Sequence, residues 1–154
     1  MVKKIVGTGV LLVLALALQA GVKMYTLKSP DGKVKLEVTA GQGIAYSLFY
    51  DGRLLLKPSR IALHTDLPEA DHWENIRITG TKQRHVSETV QAPFYRVKEF
   101  GIDCNELELR LNNGFSLLMR AYNDGMAYRF VAGRKGEMTV VEERAEFNFY
   151  KNLL

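Results

Sequence analysis

Two glutamates on one predicted strand have a spacing that acid–base chemistry could use. Glu106 and Glu108 lie two residues apart, which places them on one strand face about 6.6 Å apart, at a rise of about 3.3 Å per residue. Two carboxyl groups about 6.5–9.5 Å apart can serve as acid and base in the hydrolysis of an acetal bond. However, Arg110 follows on the same face, and the opposite face is entirely leucine. We therefore interpret the pair as part of an ordinary solvated strand face.

A second group of titratable side chains gathers in one polar stretch. It contains His64, Asp66, Glu69, Asp71, His72 and Glu74. The spacing does not match His-x-x-x-His or a comparable metal-ligand pattern, so we expect a hydrated acidic loop and no metal site. Trp73 lies in the same stretch. It could stack on a sugar ring, but a lone loop tryptophan more often fills a gap beneath the loop.

The remaining composition excludes several classes of function. Cys104 is the only cysteine, which rules out an intrachain disulfide and a thiolate metal cluster. It has no basic neighbour in sequence that would favour a reactive thiolate. The formal charge of +4 is mild, and no basic cluster interleaves with aromatic residues, so we predict no nucleic-acid partner. We also predict no cofactor in this segment.

The elements that must position these residues are strands. Apolar and polar residues alternate with period two in residues 34–38 and 107–111, as they do in half-buried strands. Asx-Gly pairs favour type I′ turns, and four occur: Asp31-Gly32, Asp51-Gly52, Asn113-Gly114 and Asp124-Gly125. No segment of ten or more residues has a convincing 3.6-residue period, and the longest irregular stretch covers residues 65–75. These patterns predict an all-β, antiparallel β-sandwich.

One predicted hairpin, residues 119–130, carries an arginine on each arm. A two-residue turn at Asp124-Gly125 would set Arg120 opposite Arg129 and Tyr122 opposite Ala127. Like charges directly opposite each other destabilise a strand pair by a few tenths to about 1 kcal/mol, and burial increases the cost. We therefore expect acidic partners for both guanidinium groups. The structural or interdomain candidates are Arg120, Tyr122, Asp124 and Arg129.

Several carboxylates are available as partners for this hairpin. Glu88, Glu99, a glutamate between residues 142 and 146, or a downstream part of the polypeptide could supply them. The alternative is that both arginines extend into water along their apolar stems and need no partner.

The first twenty residues have the composition of a secretory signal. Lys3 and Lys4 precede an uninterrupted apolar run over residues 10–18, and Ala20-Gly21 offers a small-residue cleavage point. The alternative is a membrane anchor, but the run is about half of the roughly 20 residues that a spanning helix needs. We expect residues 1–20 to be removed, leaving no stable membrane span and a periplasmic or extracellular protein.

The last residues have the pattern of an unfinished sheet. Residues 137–149 read as a strand in progress, with no polar tail after them. A sheet ending there would expose an edge that natural proteins normally protect. We therefore interpret residues 21–154 as the first part of an N-terminal β-sandwich domain, incomplete by itself.

Five segments stand in a recognisable order along the chain. They are YTLKSPDGKVKLEV (25–38), YDGRLLLKPS (50–59), ETVQAPFYRVKE (88–99), NELELRL (105–111) and RAYNDGMAYRF (120–130). In this order they resemble the N-terminal domain of glycoside hydrolase family 97, and the match covers most of residues 25–149. Residues 64–75 depart from the family pattern, being longer and more acidic, and residues 101–104 look individual.

The resemblance implies a fold and a supporting role. Family members look like three-part enzymes: an N-terminal β-supersandwich similar to the galactose-mutarotase fold, a (β/α)₈ barrel with the catalytic carboxylates, and a small C-terminal β-domain. They resemble α-glucosidases and α-galactosidases. The calcium of the glucosidase branch is bound mainly by barrel glutamates. No catalytic or metal residue can be transferred to this chain.

The resemblance therefore implies a non-catalytic module of an exported α-glycosidase. Its partners would be the downstream (β/α)₈ barrel of the same polypeptide and the carbohydrate substrate of the whole enzyme. Any calcium would belong to the full-length enzyme. The alternative is a stand-alone secreted β-sandwich that binds carbohydrate or another protein.

Overall fold

The chain folds into two antiparallel sheets. The computed structural model describes residues 23–94, 96 and 98–151, so the leader predicted over residues 1–20 lies outside the described residues. The strands described are β1 Met24–Lys28, β2 Val34–Gly41, β3 Gly43–Tyr50, β4 Arg53–Thr65, β5 Ile78–Gln91, β6 Glu99–Leu111, β7 Phe115–Tyr122, β8 Gly125–Ala132 and β9 Val140–Ala145. One sheet has the order β1-β2-β3-β4-β9 and the other β5-β6-β7-β8. The predicted all-β antiparallel sandwich is confirmed.

The core lies between the two sheets. Burial alternates along β7 and along residues 34–38 of β2, so that every second side chain there is buried. Leu36 and Val38 from one sheet and Leu117 and Met119 from the other have no exposed surface. Because side chains alternate between the faces of a strand, each sheet has an inner face toward this core and an outer face. Each large apolar side chain buried there contributes about 1.5–3 kcal/mol.

One of the four Asx-Gly pairs forms the predicted type I′ turn. Asp51 (φ 48°) and Gly52 (φ 75°) both have positive φ, and Tyr50 pairs with Arg53 across them. In the other three pairs the Asx residue does not have positive φ. The type I′ assignment of those three turns is therefore wrong, because Asx-Gly is also accommodated in longer or differently placed loops.

The register predicted for the arginine hairpin is also wrong. Tyr122 pairs with Gly125, so the two turn residues are Asn123 and Asp124, and the turn lies one residue earlier than predicted. A tertiary contact accompanies this turn: the Asn123 side-chain oxygen accepts a hydrogen bond from the Asp31 backbone N–H at 3.0 Å. The β7–β8 turn is thereby tied to the β1–β2 loop of the other sheet.

The shifted register separates the two arginines. Arg120 lies opposite Ala127 and Arg129 lies opposite Leu118, so the arginines are diagonal neighbours on one face. This arrangement avoids the direct like-charge pairing that would destabilise the hairpin.

β5 and β6 form the longest hairpin and extend past their neighbour. Their pairing runs out to Gln91 and Glu99, whereas β7 joins β6 only from Asn105 onward. Among the strands that the structure describes, none pairs with residues 99–104 on the other side of β6, so residues 86–91 and 99–104 form a two-stranded ribbon. Within the described part of the chain, no helix combines the length and apolar character that crossing a bilayer needs.

Candidate functional site

Glu106 is the centre of a charged row on the outer face of the four-stranded sheet. It pairs with Arg84 of β5 on one side and with Arg120 of β7 on the other. The Nε–H of each arginine donates to a different carboxylate oxygen, both at 2.7 Å. The Glu106 side chain is only 5% exposed, against 54% for Arg84 and 24% for Arg120. The sheet thus buries one carboxylate between two guanidinium groups.

The two arginines determine the ionisation of Glu106. Burial raises the pKa of Glu106, but the hydrogen bonds from Arg84 and Arg120 outweigh burial and leave this pKa below its ordinary value. The ion pairs in turn raise the pKa of both arginines. A proton donor in glycoside hydrolysis needs a raised carboxyl pKa. Glu106 therefore stays ionised at neutral pH and is unsuited to that role.

This geometry corrects two predictions. The interpretation of Glu106 as a solvated residue is wrong, because strand pairing brings an arginine to each side of it. The partner of Arg120 is Glu106, which was not among the carboxylates proposed for it. Sequence reasoning also missed Arg84. Its position opposite Glu106 would have followed from the β5–β6 register, had β5 been recognised as a strand.

The other predicted hairpin residues lie around this row. Tyr122 and Arg129 share the outer face with Arg120, and Asp124 is exposed in the turn. A depression of about 170 Å³ lies among them and is lined by Leu118, Arg120, Tyr122, Ala127, Tyr128 and Arg129. Among the described residues, Arg120 forms an ion pair and Arg129 does not. The hairpin therefore combines one ion-paired guanidinium with one that faces solvent. The expected acidic partner of Arg129 is not found among the described residues.

A polar groove of about 510 Å³ lies beside the five-stranded sheet, where the β4–β5 loop meets it. Its lining includes Arg60, His64, Trp73, Glu74, Asn75 and Arg144. His64 Nδ1 is 2.7 Å from an Asp71 carboxylate oxygen, and Asn75 has a positive φ of 60°. The groove collects both signs of charge on exposed side chains.

Trp73 fills a gap under the β4–β5 loop. The residue is 7% exposed, and its Nε1–H donates to the Leu63 carbonyl at 3.0 Å. Its ring packs against Phe115 and Phe130, with centroid distances of 6.1 and 5.2 Å. The aromatic faces are occupied by the core, so the structure favours the gap-filling role over stacking on a sugar.

The acidic loop is held by hydrogen bonds to the rest of the chain. Asp66 accepts the Thr139 backbone N–H at 2.9 Å, and Glu69 accepts from Arg134 at 2.6 Å. These bonds lower the pKa of both carboxyl groups. Over residues 23–94, 96 and 98–151, no group of three His, Cys, Asp or Glu side chains is placed to hold a metal ion. The carboxylates of this loop secure its conformation.

Cys104 lies on the outer face next to this row, and its side chain is fully buried. Burial raises the pKa of its thiol. A buried thiol with a raised pKa is a poor nucleophile, so the structure gives Cys104 a packing role.

Comparison with known proteins identifies relatives of this fold. A family model described as Glycosyl-hydrolase 97 N-terminal matches residues 27–153. A retaining alpha-galactosidase of Bacteroides thetaiotaomicron is 40% identical over 135 residues, which are 87% of this chain and 20% of that protein. A probable retaining alpha-galactosidase of Streptomyces bingchenggensis is 27% identical over 122 residues, 77% of this chain and 19% of that protein. The chain spans about a fifth of the length of the curated relatives it matches.

Solved structures have the same fold over most of the chain. A beta-arabinopyranosidase superposes with a TM-score of 0.71 at 25% identity, covering 81% of this chain and 21% of that one. A glycoside hydrolase family 97 enzyme from Pseudoalteromonas sp. strain K8, in complex with panose, superposes with a TM-score of 0.67 at 19% identity. The match covers 82% of this chain and 20% of that one. At that identity the second likeness concerns the fold alone.

Proposed function

Because this chain belongs to glycoside hydrolase family 97 as an N-terminal domain, we propose that it is a non-catalytic module of an exported enzyme that hydrolyses α-galactosides or α-glucosides. Its role is to support the catalytic barrel and to shape one side of the substrate cleft. One observation carries the proposal: residues 27–153 match the N-terminal domain, yet they correspond to only a fifth of the relatives' length. The 40% identical relative supports an α-galactoside substrate.

Three carboxylates of this chain are held in a state that does not suit a proton donor. Glu106 lies between two arginines, Glu69 pairs with Arg134, and Asp66 accepts a backbone N–H. Each of these three carboxyl groups has a lowered pKa. A glycosidase needs one carboxyl group that stays protonated until it donates, and groups stabilised as carboxylates do not fit that requirement.

We propose that any calcium of the whole enzyme is bound outside this segment, as the family resemblance implies. Calcium takes about six to eight oxygen ligands, and over the described residues no three His, Cys, Asp or Glu side chains are grouped to hold a metal ion. We propose export from the composition of residues 1–20. An exported enzyme would act in the periplasm or outside the cell.

A domain exchange tests the proposal. Residues 21–154 would replace the matching N-terminal part of the Bacteroides thetaiotaomicron retaining alpha-galactosidase, and hydrolysis of 4-nitrophenyl α-galactoside would be measured. We expect the chimera to be soluble and active, and the same relative without its N-terminal part to lose soluble activity. The present chain alone should show no turnover.

Two results would contradict the proposal. An inactive chimera beside an active parent enzyme would show that this chain does not support that barrel, and turnover by the purified chain alone would refute a non-catalytic role. Saturable binding of melibiose or maltose to the chain alone, measured by titration calorimetry, would favour the stand-alone binding module.

A further inference from the structure

The four Asx-Gly pairs share a chemical reactivity of their own. The nitrogen of the glycine can attack the side-chain carbonyl carbon of the preceding aspartate or asparagine, because glycine has no Cβ to crowd the approach. This closure forms one N–C bond and a five-membered imide, and it expels water from aspartate or ammonia from asparagine. Whether a pair reacts in the folded protein depends on how firmly the fold holds these two groups.

Water reopens the imide at either of its two carbonyl carbons. Breaking the newly formed bond gives aspartate with the ordinary main chain. Breaking the bond between the glycine nitrogen and the original main-chain carbonyl carbon leaves the chain running through the side chain, which is isoaspartate. At an aspartate site the water lost in closure is regained in hydrolysis, so the reaction needs no other reactant and leaves the mass unchanged.

Asp31-Gly32 is exposed, but both of its reacting groups are held. The Asp31 carboxylate accepts the Ser29 hydroxyl at 2.6 Å and the Lys33 N–H at 3.0 Å, and the Gly32 N–H donates to the Ser29 carbonyl at 2.9 Å. The bonds from Ser29 and Lys33 hold the pKa of Asp31 below its ordinary value, and an ionised carboxyl group loses its oxygen less readily than a neutral one. Closure at this pair must break these hydrogen bonds.

Asn113-Gly114 is held by the fold although an asparagine amide closes faster than an aspartate carboxylate. Asn113 is only 7% exposed. Its Nδ2 donates to the Ala70 carbonyl at 3.2 Å, and its Oδ1 accepts the Phe115 N–H at 3.3 Å. Both ends of the amide are therefore occupied, and the carbon that the glycine nitrogen must reach is fixed between them.

Asp124-Gly125 is held on the glycine side. Asp124 is exposed in the turn, but Gly125 is the first residue of β8 and pairs with Tyr122. The turn is also tied down by Asn123, whose side-chain oxygen accepts the Asp31 N–H. Closure at this pair would therefore disturb the pairing that ends the β7–β8 hairpin.

Asp51-Gly52 has none of these restraints. Both residues are exposed and lie in the turn itself, between the paired Tyr50 and Arg53. Among the described residues, the Asp51 carboxylate accepts no hydrogen bond, and the Gly52 N–H donates to no main-chain carbonyl. A Cβ at Gly52 would meet no atom within 4 Å, so the space around this glycine is open.

The backbone of Asp51 is also strained. Its φ of 48° lies in the left-handed region, which costs free energy for any residue that has a Cβ. Opening the turn relieves this strain, so opening costs less here than in a relaxed turn. Exposed loops with few contacts are the parts of a fold that open most readily.

We propose that Asp51-Gly52 is a site of spontaneous modification in the folded protein, at which the glycine nitrogen closes on the aspartate side chain and the imide reopens to isoaspartate. The product has one additional methylene in the main chain. A type I′ turn joins two strands through two ordinary residues, so the longer link no longer fits between Tyr50 and Arg53. The Asp51 N–H also donates to the Lys33 carbonyl at 2.9 Å, and the modification loosens this contact with the β1–β2 loop.

Ageing of the purified chain at neutral pH tests the four pairs together. Peptides from chain aged in buffer and from chain aged in denaturant are compared by liquid chromatography and electron-transfer fragmentation, which distinguishes isoaspartate from aspartate. Dividing the rate in buffer by the rate in denaturant removes the intrinsic difference between the pairs. We expect a ratio above about one third at Asp51 and below about one tenth at Asp31 and Asn113, where the fold must open first. The ratio at Asp124 should lie below that at Asp51.

Two glutamate variants give a second readout with a matched control. Asp51→Glu keeps the charge but lengthens the side chain, so that closure would form a six-membered ring, which is much slower. Asp124→Glu makes the same change at another exposed turn aspartate. An isoaspartyl carboxyl methyltransferase with radiolabelled S-adenosylmethionine counts the isoaspartate in the aged chain. We expect Asp51→Glu to remove at least half of the incorporated label and Asp124→Glu to remove less than a fifth.

Three results would overturn the assignment of Asp51. One is a ratio at Asp51 as low as that at Asp31, because the missing hydrogen bonds would then make no difference. Another is a higher ratio at Asn113 or Asp124 than at Asp51, which would place the modification in a different turn. The third is methyl incorporation that stays undiminished in Asp51→Glu, whatever the peptide map shows.

Discussion

Glu106 shows how a residue acquires its chemistry from its neighbours. Its carboxylate is buried, accepts two charge-assisted hydrogen bonds and has a lowered pKa. Glu106→Gln should lower the free energy of unfolding at pH 7 by about 1.5–3 kcal/mol, the value of hydrogen bonds to charged groups, with exposure of Arg84 favouring the lower end. Urea unfolding measures the change. Glu108→Gln, on the same strand face, is the control and should change stability by less than about 0.5 kcal/mol.

The same carboxylate predicts a dependence on pH. The pKa of Glu106 is lower in the folded state than in the unfolded chain, so its stabilisation is complete above the unfolded-state pKa. The stabilisation is lost as the pH falls through the folded-state pKa. The stability gap between the wild type and Glu106→Gln should therefore shrink in acid. A gap that stays constant from neutral pH to pH values well below the ordinary glutamate pKa would contradict this assignment.

The stability contribution of Tyr128 should be lost in alkaline rather than acidic solution. Burial and a 3.1 Å hydrogen bond to Glu143 raise the pKa of Tyr128 to about 12. Its neutral form is favoured by folding, so the stabilisation is complete below the unfolded-state pKa and is lost as the pH rises through about 12. Tyr128→Phe should remove one tyrosine ionisation at high pH from the ultraviolet titration. It should also lower the free energy of unfolding by about 0.5–1.5 kcal/mol at pH 7. Tyr50→Phe, at an exposed tyrosine, is the stability control.

At the scale of elements, the contact between the start of β7 and the end of β8 has no room for a side chain. The Gly133 N–H donates to the Gly114 carbonyl at 2.9 Å, and a Cβ at Gly133 would lie 2.8 Å from that oxygen. Gly133→Ala should therefore push the backbones apart and cost about 1–3 kcal/mol.

Gly80→Ala is the matched control for this contact. Its Cβ would also approach to 2.8 Å, but the neighbouring atom is the Arg110 Nε on a flexible, exposed side chain that can swing aside. We expect a change within about 0.5 kcal/mol. Thermal unfolding of both variants gives the comparison, and equal losses would show that backbone crowding is not the cause.

The strands differ in how visible they are in the sequence. β2 and β6 contain the predicted segments 34–38 and 107–111 and extend them, because apolar residues alternate along both segments. β5 was not predicted as a strand. It is an edge strand, and its core-facing side carries polar residues such as Thr81 and Gln83. An edge strand whose core-facing side is polar lacks the period-two signal on which recognition depends.

At the scale of the whole molecule, the leader leads to a further prediction. Expression of the full sequence in a Gram-negative host should yield a periplasmic protein that begins at Gly21, because residues 1–20 have the composition of a cleaved signal. Replacing Lys3 and Lys4 by glutamate should slow export, and intact mass with cell fractionation would measure both effects. Uncleaved protein in the membrane fraction would support the anchor alternative instead.

The sequence by itself determined the all-β class, most strand positions and the family, because alternation and ordered motifs are local properties of the chain. It did not determine the register of the arginine hairpin, whose observed turn places Asn123 where its side chain accepts a hydrogen bond from Asp31 in the β1–β2 loop. Nor did it determine the partner of Arg120. Glu106 meets its two arginines only after β6 is placed between β5 and β7. Neutralising a buried charge depends on which strands become neighbours, and tertiary structure alone decides that.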